Sequence, residues 1–279
     1  MQTLLLSATA MLAFAANSVL CRLALDHGAI DPASFGSIRL LSGALILNLL
    51  IRLQPAPRAA AGTDWPAALM LFAYVACFSF AYLALSTGTG ALILFGAVQL
   101  TMIACGLWSG ERFGAAGWLG LALALGGLVY LLSPGVTAPP LLDAGMMAIA
   151  GIAWGAYSLR GRHAANPLAA TARNFALATP FALALSVALA ASAQVTATGI
   201  GLALASGALT SGLGYVIWYA ALPKLSAMRA ATMQLSVPLI ATIGGVLFVA
   251  ESVTPRLAIA SAAILGGIAF VLMDKSAKQ

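Results

Sequence analysis

Long apolar runs, interrupted by short polar or glycine-rich turns, dominate the pattern of residues along this chain. No residue is charged between Asp64 and Glu111, and none is charged between Arg173 and Lys224. Each interval is about twice the roughly 20 residues that one helix needs to cross a bilayer, so each is predicted to hold two spans. The polar turns that divide the intervals read STGTG and ASAQVTATG.

This pattern predicts an all-α integral membrane protein with ten transmembrane helices. Only helices and closed barrels satisfy their backbone hydrogen bonds in lipid, and the apolar runs lack the two-residue alternation of barrel strands. The predicted spans cover residues 3–25, 33–53, 65–85, 89–108, 114–133, 142–160, 167–190, 200–221, 227–249 and 256–273. The loops between the spans are short, so we expect no soluble domain.

The few charged residues set the expected orientation in the membrane. Only 7% of the 279 residues are charged, and the net charge of +6 is scattered over short loops rather than gathered into a nucleic-acid-binding stripe. With ten spans and both termini in the cytoplasm, the basic residues lie mostly on the cytoplasmic side, as the positive-inside rule requires. The exceptions are Arg22, Arg39 and Arg256. We therefore predict a multi-pass protein of the bacterial inner membrane that binds no nucleic acid.

The two halves of the chain match each other at a single offset of 140 residues, 251 minus 111. The most informative matches pair Ser18 with Ser158, Arg22 with Arg162, Phe35 with Phe175, Glu111 with Glu251, and the double glycine at 126–127 with that at 266–267. We predict two repeats of five helices, residues 1–138 and 139–279. Because five is odd, the second repeat enters the membrane in the opposite direction, as in the inverted repeats of secondary transporters.

Glu111 and Glu251 occupy one position of the repeat, in the turn between its fourth and fifth helices. A carboxylate in the first turn of the following helix interacts favourably with the positive end of the helix dipole, by roughly 0.3–1 kcal/mol. We therefore expect both residues to stabilise these turns and helix starts. A gating role is the alternative.

Several motifs of the chain resemble a known transporter family. They are AFAANSVLCRLAL with its partner GIAWGAYSLRGR, FGSIRLLSGAL, GLWSGERFGAAGWLGLALALGGLVYLL and QLSVPLIATIGGVLFVAESVTPRLAIASAAILGGIAFVL. The whole chain resembles the drug/metabolite transporter superfamily with its EamA-type repeats, and most closely the YddG-type bacterial exporters of aromatic and other amino acids. The resemblance implies export of amino acids or related metabolites by alternating access, with no oligomer required. A symmetric substrate site is not expected, because the halves differ at equivalent positions. The first half has Val98 where the second has Pro238, and it has Arg39 where the second has Thr179.

Two corresponding helix faces supply candidate substrate-binding residues. On the first span Asn17 and Ser18 lie on one face, and on the sixth span Trp154, Tyr157 and Ser158 occupy the corresponding face. An amide in hydrocarbon must find polar partners, so Asn17 either binds a charged group of the substrate or forms an interhelical hydrogen bond. Inverted repeats place equivalent helices around a shared cavity, which favours both faces as parts of one site.

Aromatic residues at helical spacing give a second set of candidates. Tyr74, Phe78 and Tyr82 recur every four residues on the third span, and Tyr215 and Trp218 form the corresponding stripe on the eighth. Such stripes stack against a planar substrate or pack against neighbouring helices.

Two amides and a proline mark the fourth and ninth spans. Gln99 and Gln234 lie in otherwise apolar segments, so each needs a polar partner or a hydrated cavity, and we list both as substrate-binding candidates. Pro238 frees the backbone carbonyl near Gln234 and is expected to produce a fixed kink in the ninth span, with a moving hinge as the alternative.

Arg39 lies about two turns into the second span, where an isolated charge is costly. Asp26 and Asp31 stand in the adjacent loop, so we expect Arg39 to form an ion pair with one of them or to extend toward the surface. A role in attracting anions at the outer mouth is the alternative.

The absence of certain residue types from the predicted spans restricts the transport mechanism. None of the seven acidic residues lies in the middle of a predicted span, and both histidines lie in loops. Proton pumps usually carry such a group in the membrane, so we expect uniport or exchange. We expect no Lys or Arg at the midplane, which argues against phosphorylated substrates.

Other classes of protein are less favoured. The spans contain no histidine cluster and no nucleophile with its base, so we predict no enzyme, cofactor or metal site. A passive channel would favour a continuous polar stripe, which the spans lack. A carrier for another small metabolite or drug stays open.

Overall fold

The computed structural model describes residues 2–26, 28–53, 62–108, 110, 113–135, 138–161, 164, 166–221 and 233–273. Ten long helices and one short 3₁₀ helix, Ala190–Ser192, lie within these residues. The long helices are α1 (Gln2–Asp26), α2 (Pro32–Arg52), α3 (Trp65–Ala81), α4 (Thr87–Trp108), α5 (Ala115–Leu132), α6 (Leu141–Gly161), α7 (Pro167–Ala188), α8 (Ala197–Ala221), α9 (Ser236–Val249) and α10 (Pro255–Met273). Strands are absent from the described ranges, apart from an isolated bridge between Ile30 and Val195. The predicted all-α fold is confirmed.

The surface of the bundle is suited to lipid. Eight of the described helices are long and apolar enough to cross a membrane, whereas α3 and α9 are shorter apolar helices of 17 and 14 residues. Large hydrophobic side chains point outward along the helices, among them Leu45, Leu119, Val187 and Phe248. An apolar surface of this extent would promote aggregation in water, and it matches the hydrocarbon of a bilayer.

α3 ends four residues earlier than the predicted span, because a side chain from another helix caps it. The Arg22 guanidinium of α1 donates through Nη1 to the carbonyl oxygens of Tyr82 and Leu83, at 2.9 and 3.1 Å. These carbonyls follow the last turn of α3 and have no partner within the helix. The chain then turns and begins α4 at Thr87.

α9 begins later than the predicted ninth span, whose first residues lie outside the described ranges. A short helical turn at Met233 and Gln234 is interrupted at Leu235, and the regular helix starts at Ser236. Pro238 therefore stands in the first turn of α9, where the missing N–H leaves no intrahelical bond unmade. The interruption ahead of the proline takes the place of the expected kink within the helix.

The middle of α8 is π-helical, which the sequence patterns do not predict. Residues Ser206–Leu213 form this segment between two α-helical parts of α8. Gly207 and Gly212 bring its backbone against α2, and a Cβ on Gly207 would collide with the carbonyl of Arg39. Small residues of this kind allow the close helix contacts that are common in membrane proteins.

Helices of the first half pack mainly against helices of the second half. α5 lies along α10, α2 along α7 and α4 along α9, while α1 packs on α8 and α3 on α6. Gly127 faces Ile264, and Gly267 faces Ala124, so α5 and α10 are antiparallel. The two halves are therefore interlocked.

Polar contacts connect the helices at two opposite ends of the bundle. At one end, called here the Arg22 end, Asp31 N donates to the carbonyl oxygen of Gln194 at 2.8 Å, joining the start of α2 to the segment after α7. At the other end, called the Arg160 end, Arg160 at the end of α6 donates through Nε to the Asp64 carboxylate at 2.6 and 2.9 Å. The Arg160 guanidinium holds the pKa of Asp64 below its usual value.

Candidate functional site

A small cavity lies in the centre of the bundle, where α1, α2, α3, α4, α6 and α8 meet. It holds about 10 Å³ of free space, roughly the room that one water molecule needs. Seven of the predicted site residues line it, and they are Asn17, Ser18, Arg39, Tyr74, Phe78, Trp154 and Tyr215. The cavity must expand before it can hold a metabolite.

Aromatic rings from four helices form one wall of the cavity. Trp154 of α6 lies 5.0 Å from Tyr74 of α3 and 5.0 Å from Tyr215 of α8, measured between ring centroids. Phe14 of α1 meets both Trp154 and Tyr215 edge-on, at 6.4 and 5.9 Å. Rings at these separations attract one another and give flat surfaces against which an apolar or planar group can stack.

Arg39 is the only cation among the residues that line this described cavity, and its side chain is 1% exposed. Its Nε donates to Ser211 Oγ at 3.1 Å, and its Nη2 donates to the Tyr74 hydroxyl at 2.8 Å. The guanidinium also lies over the rings of Tyr74 and Phe78, at 5.0 and 4.9 Å from their centroids. Its Nη1 is buried and has no hydrogen-bond partner among the described residues.

The expected ion pair between Arg39 and a loop carboxylate is not formed. Asp26 lies 2.5 Å from Arg22 Nη2, and Asp31 caps α2 by accepting from the backbone N–H of Ser34 at 2.9 Å. Among the described residues no carboxylate lies within ion-pair distance of Arg39. Arg39 instead lines the central cavity. A cation therefore stands at the candidate site, although the expected absence of Lys and Arg from the midplane was the argument against phosphorylated substrates.

Asn17 ties α1 to the π-helical segment of α8. Its Oδ1 accepts from Ser206 Oγ at 2.6 Å and from Thr210 Oγ1 at 3.3 Å, while its Nδ2 donates to the Tyr74 hydroxyl at 3.4 Å. The interhelical hydrogen bond, one of the two alternatives predicted for Asn17, is therefore present at the edge of the cavity.

Two hydroxyl residues of the π-helical segment, Ser206 and Thr210, were not predicted as site residues. Thr210 and Ser211 line the cavity, and Ser206 supports Asn17. The signal for them is the density of small and hydroxyl residues in SGALTSGLG, within an otherwise apolar span. In membrane helices such clusters mark close packing and polar contacts between helices.

Three predicted residues stand behind the cavity wall, one at the C-terminal cap of α3 and two on α6. Tyr82 is buried against Phe78, with ring centroids 4.8 Å apart, and its hydroxyl donates to the carbonyl of Thr87 at 3.3 Å. Tyr157 packs against the Trp154 ring at 5.5 Å. Ser158 donates to the Trp154 carbonyl at 2.7 Å, within its own helix. These residues support the lining side chains.

Three further predicted residues also lie outside the lining. Trp218 is buried and meets Phe14 edge-on at 6.1 Å. Gln99 of α4 and Gln234, in the turn before α9, are buried away from the cavity surface.

Glu251 joins α1 and α4 at the Arg22 end of the bundle. Both of its carboxylate oxygens accept from the backbone N–H of Thr87, at 2.9 and 2.8 Å, and Oε1 lies 3.2 Å from Arg22 Nε. The helix start that it caps is that of α4, so the prediction that it would cap the following helix, α10, is wrong. Leu257 N, in the first turn of α10, donates instead to Thr254 Oγ1. Glu111, the matching residue of the first half, lies outside the described ranges.

A second cavity, of about 210 Å³, lies between α2, α7 and α8 on the side of the Arg160 end. Leu47, Asn166, Thr171 and Tyr219 are among the residues that line it. Tyr215 borders this second cavity and the central cavity alike. One aromatic side chain therefore stands between the two spaces.

Residues 143–273 match the model of the EamA-like transporter family. The chain is 51% identical to an uncharacterized protein of Pseudomonas aeruginosa, over 98% of this chain and 96% of that protein. A protein of known crystal structure has 18% sequence identity and a TM-score of 0.66, with 96% of each chain covered. At this identity the similarity concerns the fold alone.

Proposed function

The chain belongs to the EamA-like transporter family of multi-pass membrane proteins, and we propose that it exports amino acids and other small amphipathic metabolites across the bacterial inner membrane. The observation that carries this proposal is the central cavity, which is lined by a buried cation and by a cluster of aromatic rings. Such a combination suits a substrate with one polar end and an apolar body.

The proposed architecture is a pair of inverted repeats, residues 1–138 and 139–279. Support comes from two contacts between α5 and α10, Gly127 with Ile264 and Gly267 with Ala124. The offset of 140 residues matches Gly127 to Gly267 and Ala124 to Ile264, so each contact is the repeat equivalent of the other. A two-fold relation between the halves produces such reciprocal contacts. The corresponding helices of the two halves also pack on each other in three cases.

Alternating access is the proposed mechanism. The ion pair of Arg22 with Glu251 holds the Arg22 end closed, while the second cavity reaches Tyr215 from the other side. Movement of Tyr215 and its neighbours would join the two cavities, and rupture of the ion pair would open the opposite end. Repeats that exchange conformations expose one shared site to each side in turn.

We further propose that transport occurs as uniport or exchange. Among the described residues that line the central cavity there is no Asp, Glu or His. Proton-coupled carriers usually bind the proton on such a group near the substrate.

A counterflow experiment tests the proposal. Proteoliposomes preloaded with unlabelled phenylalanine should take up labelled phenylalanine faster than empty ones, and the uptake should saturate. Trp154→Ala should lower this uptake about tenfold, because a stacking surface of the cavity is lost. Trp108→Ala is the matched control, since that side chain is 92% exposed on the surface of the bundle.

Other results would contradict the proposal. Flux that neither saturates nor responds to internal substrate would indicate a channel, and chemical conversion of the amino acid would indicate an enzyme. Counterflow of other metabolites, with no amino acid accepted, would indicate a carrier of different specificity.

A further inference from the structure

The central cavity contains a charge that no described residue neutralises. Arg39 is fully buried, its Nη1 has no hydrogen-bond partner, and no carboxylate of the described residues pairs with it. A buried cation normally pairs with an anion or faces a water-filled space, because an unpaired charge inside a membrane protein is costly. An anion that arrives from outside the chain would remove this cost.

The polar groups around Arg39 are also predominantly donors. A guanidinium has five N–H donors and no acceptor. The Tyr74 hydroxyl accepts from both Arg39 and Asn17, so its own proton is free to donate. Asn17 Oδ1, the side-chain amide oxygen at the site, already accepts from Ser206 Oγ at 2.6 Å, whereas Thr210 Oγ1 lies closer to the Ser206 carbonyl, at 2.8 Å, than to Asn17 Oδ1. The hydroxyls of Ser18, Thr210 and Ser211 can donate or accept, and the remaining polar groups of the lining offer more donors than acceptors. Such a site favours an anionic oxygen over an ammonium group.

Only the first half of the chain has a cation at this matching position. Thr179 is the residue of α7 that matches Arg39 of α2, and its hydroxyl donates to the carbonyl of Phe175 in its own helix. The second half therefore adds no equivalent positive group. This asymmetry suits a substrate with one anionic group and an uncharged remainder.

The apolar part of the lining consists mainly of aromatic rings. The rings of Tyr74, Trp154 and Tyr215 stand next to one another, and Tyr74 also lies beneath the guanidinium of Arg39. A substrate whose anionic group met Arg39 would place its body against these rings.

Resting on the proposed transport function, we propose that Arg39 is the specificity-determining residue and that it binds the carboxylate of an aromatic or aliphatic monocarboxylate. The carboxylate accepts from Nη1 and from the Tyr74 hydroxyl, and the apolar body stacks on Trp154 and Tyr215. Amino acids are accepted because of their carboxylate, and their ammonium group is not required.

The first test uses the unaltered protein in detergent and a set of compounds with the same phenyl-alkyl body. Binding is measured by calorimetry for 3-phenylpropionate, its neutral amide 3-phenylpropionamide, and the cation phenethylamine. The acid should bind about 10- to 100-fold more tightly than the amide, in keeping with a hydrogen bond to a charged partner. Equal or tighter binding of the amide or the amine would overturn the proposal.

The second test assigns the preference to Arg39. Arg39→Gln should reduce the ratio of acid to amide affinity to about one, and Arg39→Lys should retain part of it. Arg256→Gln is the matched control, because Arg256 of α10 donates to the Leu131 carbonyl far from the central cavity. An unchanged ratio in Arg39→Gln would overturn the proposal. The first test does not depend on whether the variants fold.

Transport measurements separate this proposal from the proposed function. If the acid, the amide and the amine exchange equally well in proteoliposomes, the chain is a carrier of small amphipathic molecules and the carboxylate proposal fails. If neither phenylalanine nor the acid exchanges, the proposed function fails. Exchange of the acid and of phenylalanine, without the amide, supports both.

Discussion

At the scale of single residues, Glu251 connects three elements through one carboxylate. It belongs to the loop before α10, accepts from the first N–H of α4 and pairs with Arg22 of α1. The side chains of Arg22 and Glu251 are each 15% exposed, so water screens the pair only in part. This carboxylate is therefore well placed to hold the Arg22 end closed.

Glu251→Gln should favour opening of the Arg22 end. The amide keeps an acceptor for Thr87 N but loses the ionic attraction to Arg22, which should weaken the closed form by about 1–3 kcal/mol. Cys21 precedes Arg22 and is fully buried, so its rate of modification by a maleimide should rise about tenfold or more. The measurement is made with Cys77 and Cys105 replaced by Ser.

Asp143→Asn provides the control for this measurement. It removes a carboxylate from the first turn of α6 and leaves the ion pair of Arg22 with Glu251 unaltered. An equal rise in Cys21 modification in both variants would show that general loosening, rather than the ion pair, is responsible.

The ion pair at the Arg160 end gives a prediction for pH dependence. Arg160 lowers the pKa of Asp64 in the folded protein, so the pair contributes to stability above the ordinary pKa of an aspartate, about 4. This contribution is lost as the pH falls through the lower folded-state value. Asp64→Asn should lower the Tm slightly at pH 7 and not at all well below pH 4.

The choice of Asn matters for this comparison, because Asp64 also caps α3 by accepting from Ala67 N at 3.1 Å. Asparagine is an equally good N-cap, so the variant removes the charge and keeps the cap. A Tm difference that stays constant from pH 7 to pH 3 would contradict the assignment.

At the scale of helices, the double glycines of α5 and α10 have unequal surroundings. A Cβ on Gly267 would collide with the backbone of α5 at Gly120 and Ala124, whereas a Cβ on Gly266 would meet open space. The first glycine of the pair faces outward, and the second allows the two helices to touch. The sequence repeat pointed to both positions but not to this difference.

Gly267→Ala should therefore destabilise the protein by about 1–3 kcal/mol, since overpacking at a backbone contact forces α10 away from α5. Gly266→Ala should be neutral or stabilising by up to about 1 kcal/mol, because alanine is the better helix former. Thermal unfolding in one detergent compares the two variants. A similar loss of stability in both would contradict this account of the contact.

Features that depend on the local sequence could be predicted, whereas features that depend on contacts between helices could not. The apolar runs sufficed for the helices of a membrane protein, because length and hydropathy determine insertion. The early end of α3 was not predictable, since the capping Arg22 comes from α1. The π-helical segment of α8 packs against α1 and α2, and contacts between distant parts of the chain leave no periodic signal in the sequence.

At the scale of the whole molecule, the candidate site was only partly predictable. Asn17, Tyr74, Trp154 and Tyr215 were found by their spacing on helices, and all four line the cavity. The surroundings of Arg39 were predicted wrongly, because the nearest acids in sequence bind other partners. Its neighbours come from α3 and α8, which no local pattern links to α2.

The orientation of the whole bundle is open to a direct test. With ten crossings, fluorescent and phosphatase reporters fused to the first and last residues should both report a cytoplasmic location. Reporters at the two termini that indicate opposite sides would mean an odd number of crossings and would contradict the proposed repeat. A reporter placed after residue 138, between the predicted repeats, should indicate the periplasm.

The solitary positive charge beside the cavity has an electrical consequence. A carrier that moves a monoanion outward, with no accompanying ion, transfers one negative charge out of a cell whose interior is negative. Each 100 mV of membrane potential contributes about 2.3 kcal/mol to this movement. The membrane potential alone would then drive efflux of the substrate. Potassium diffusion potentials imposed with valinomycin should accelerate this efflux when the interior is negative and slow it when the interior is positive.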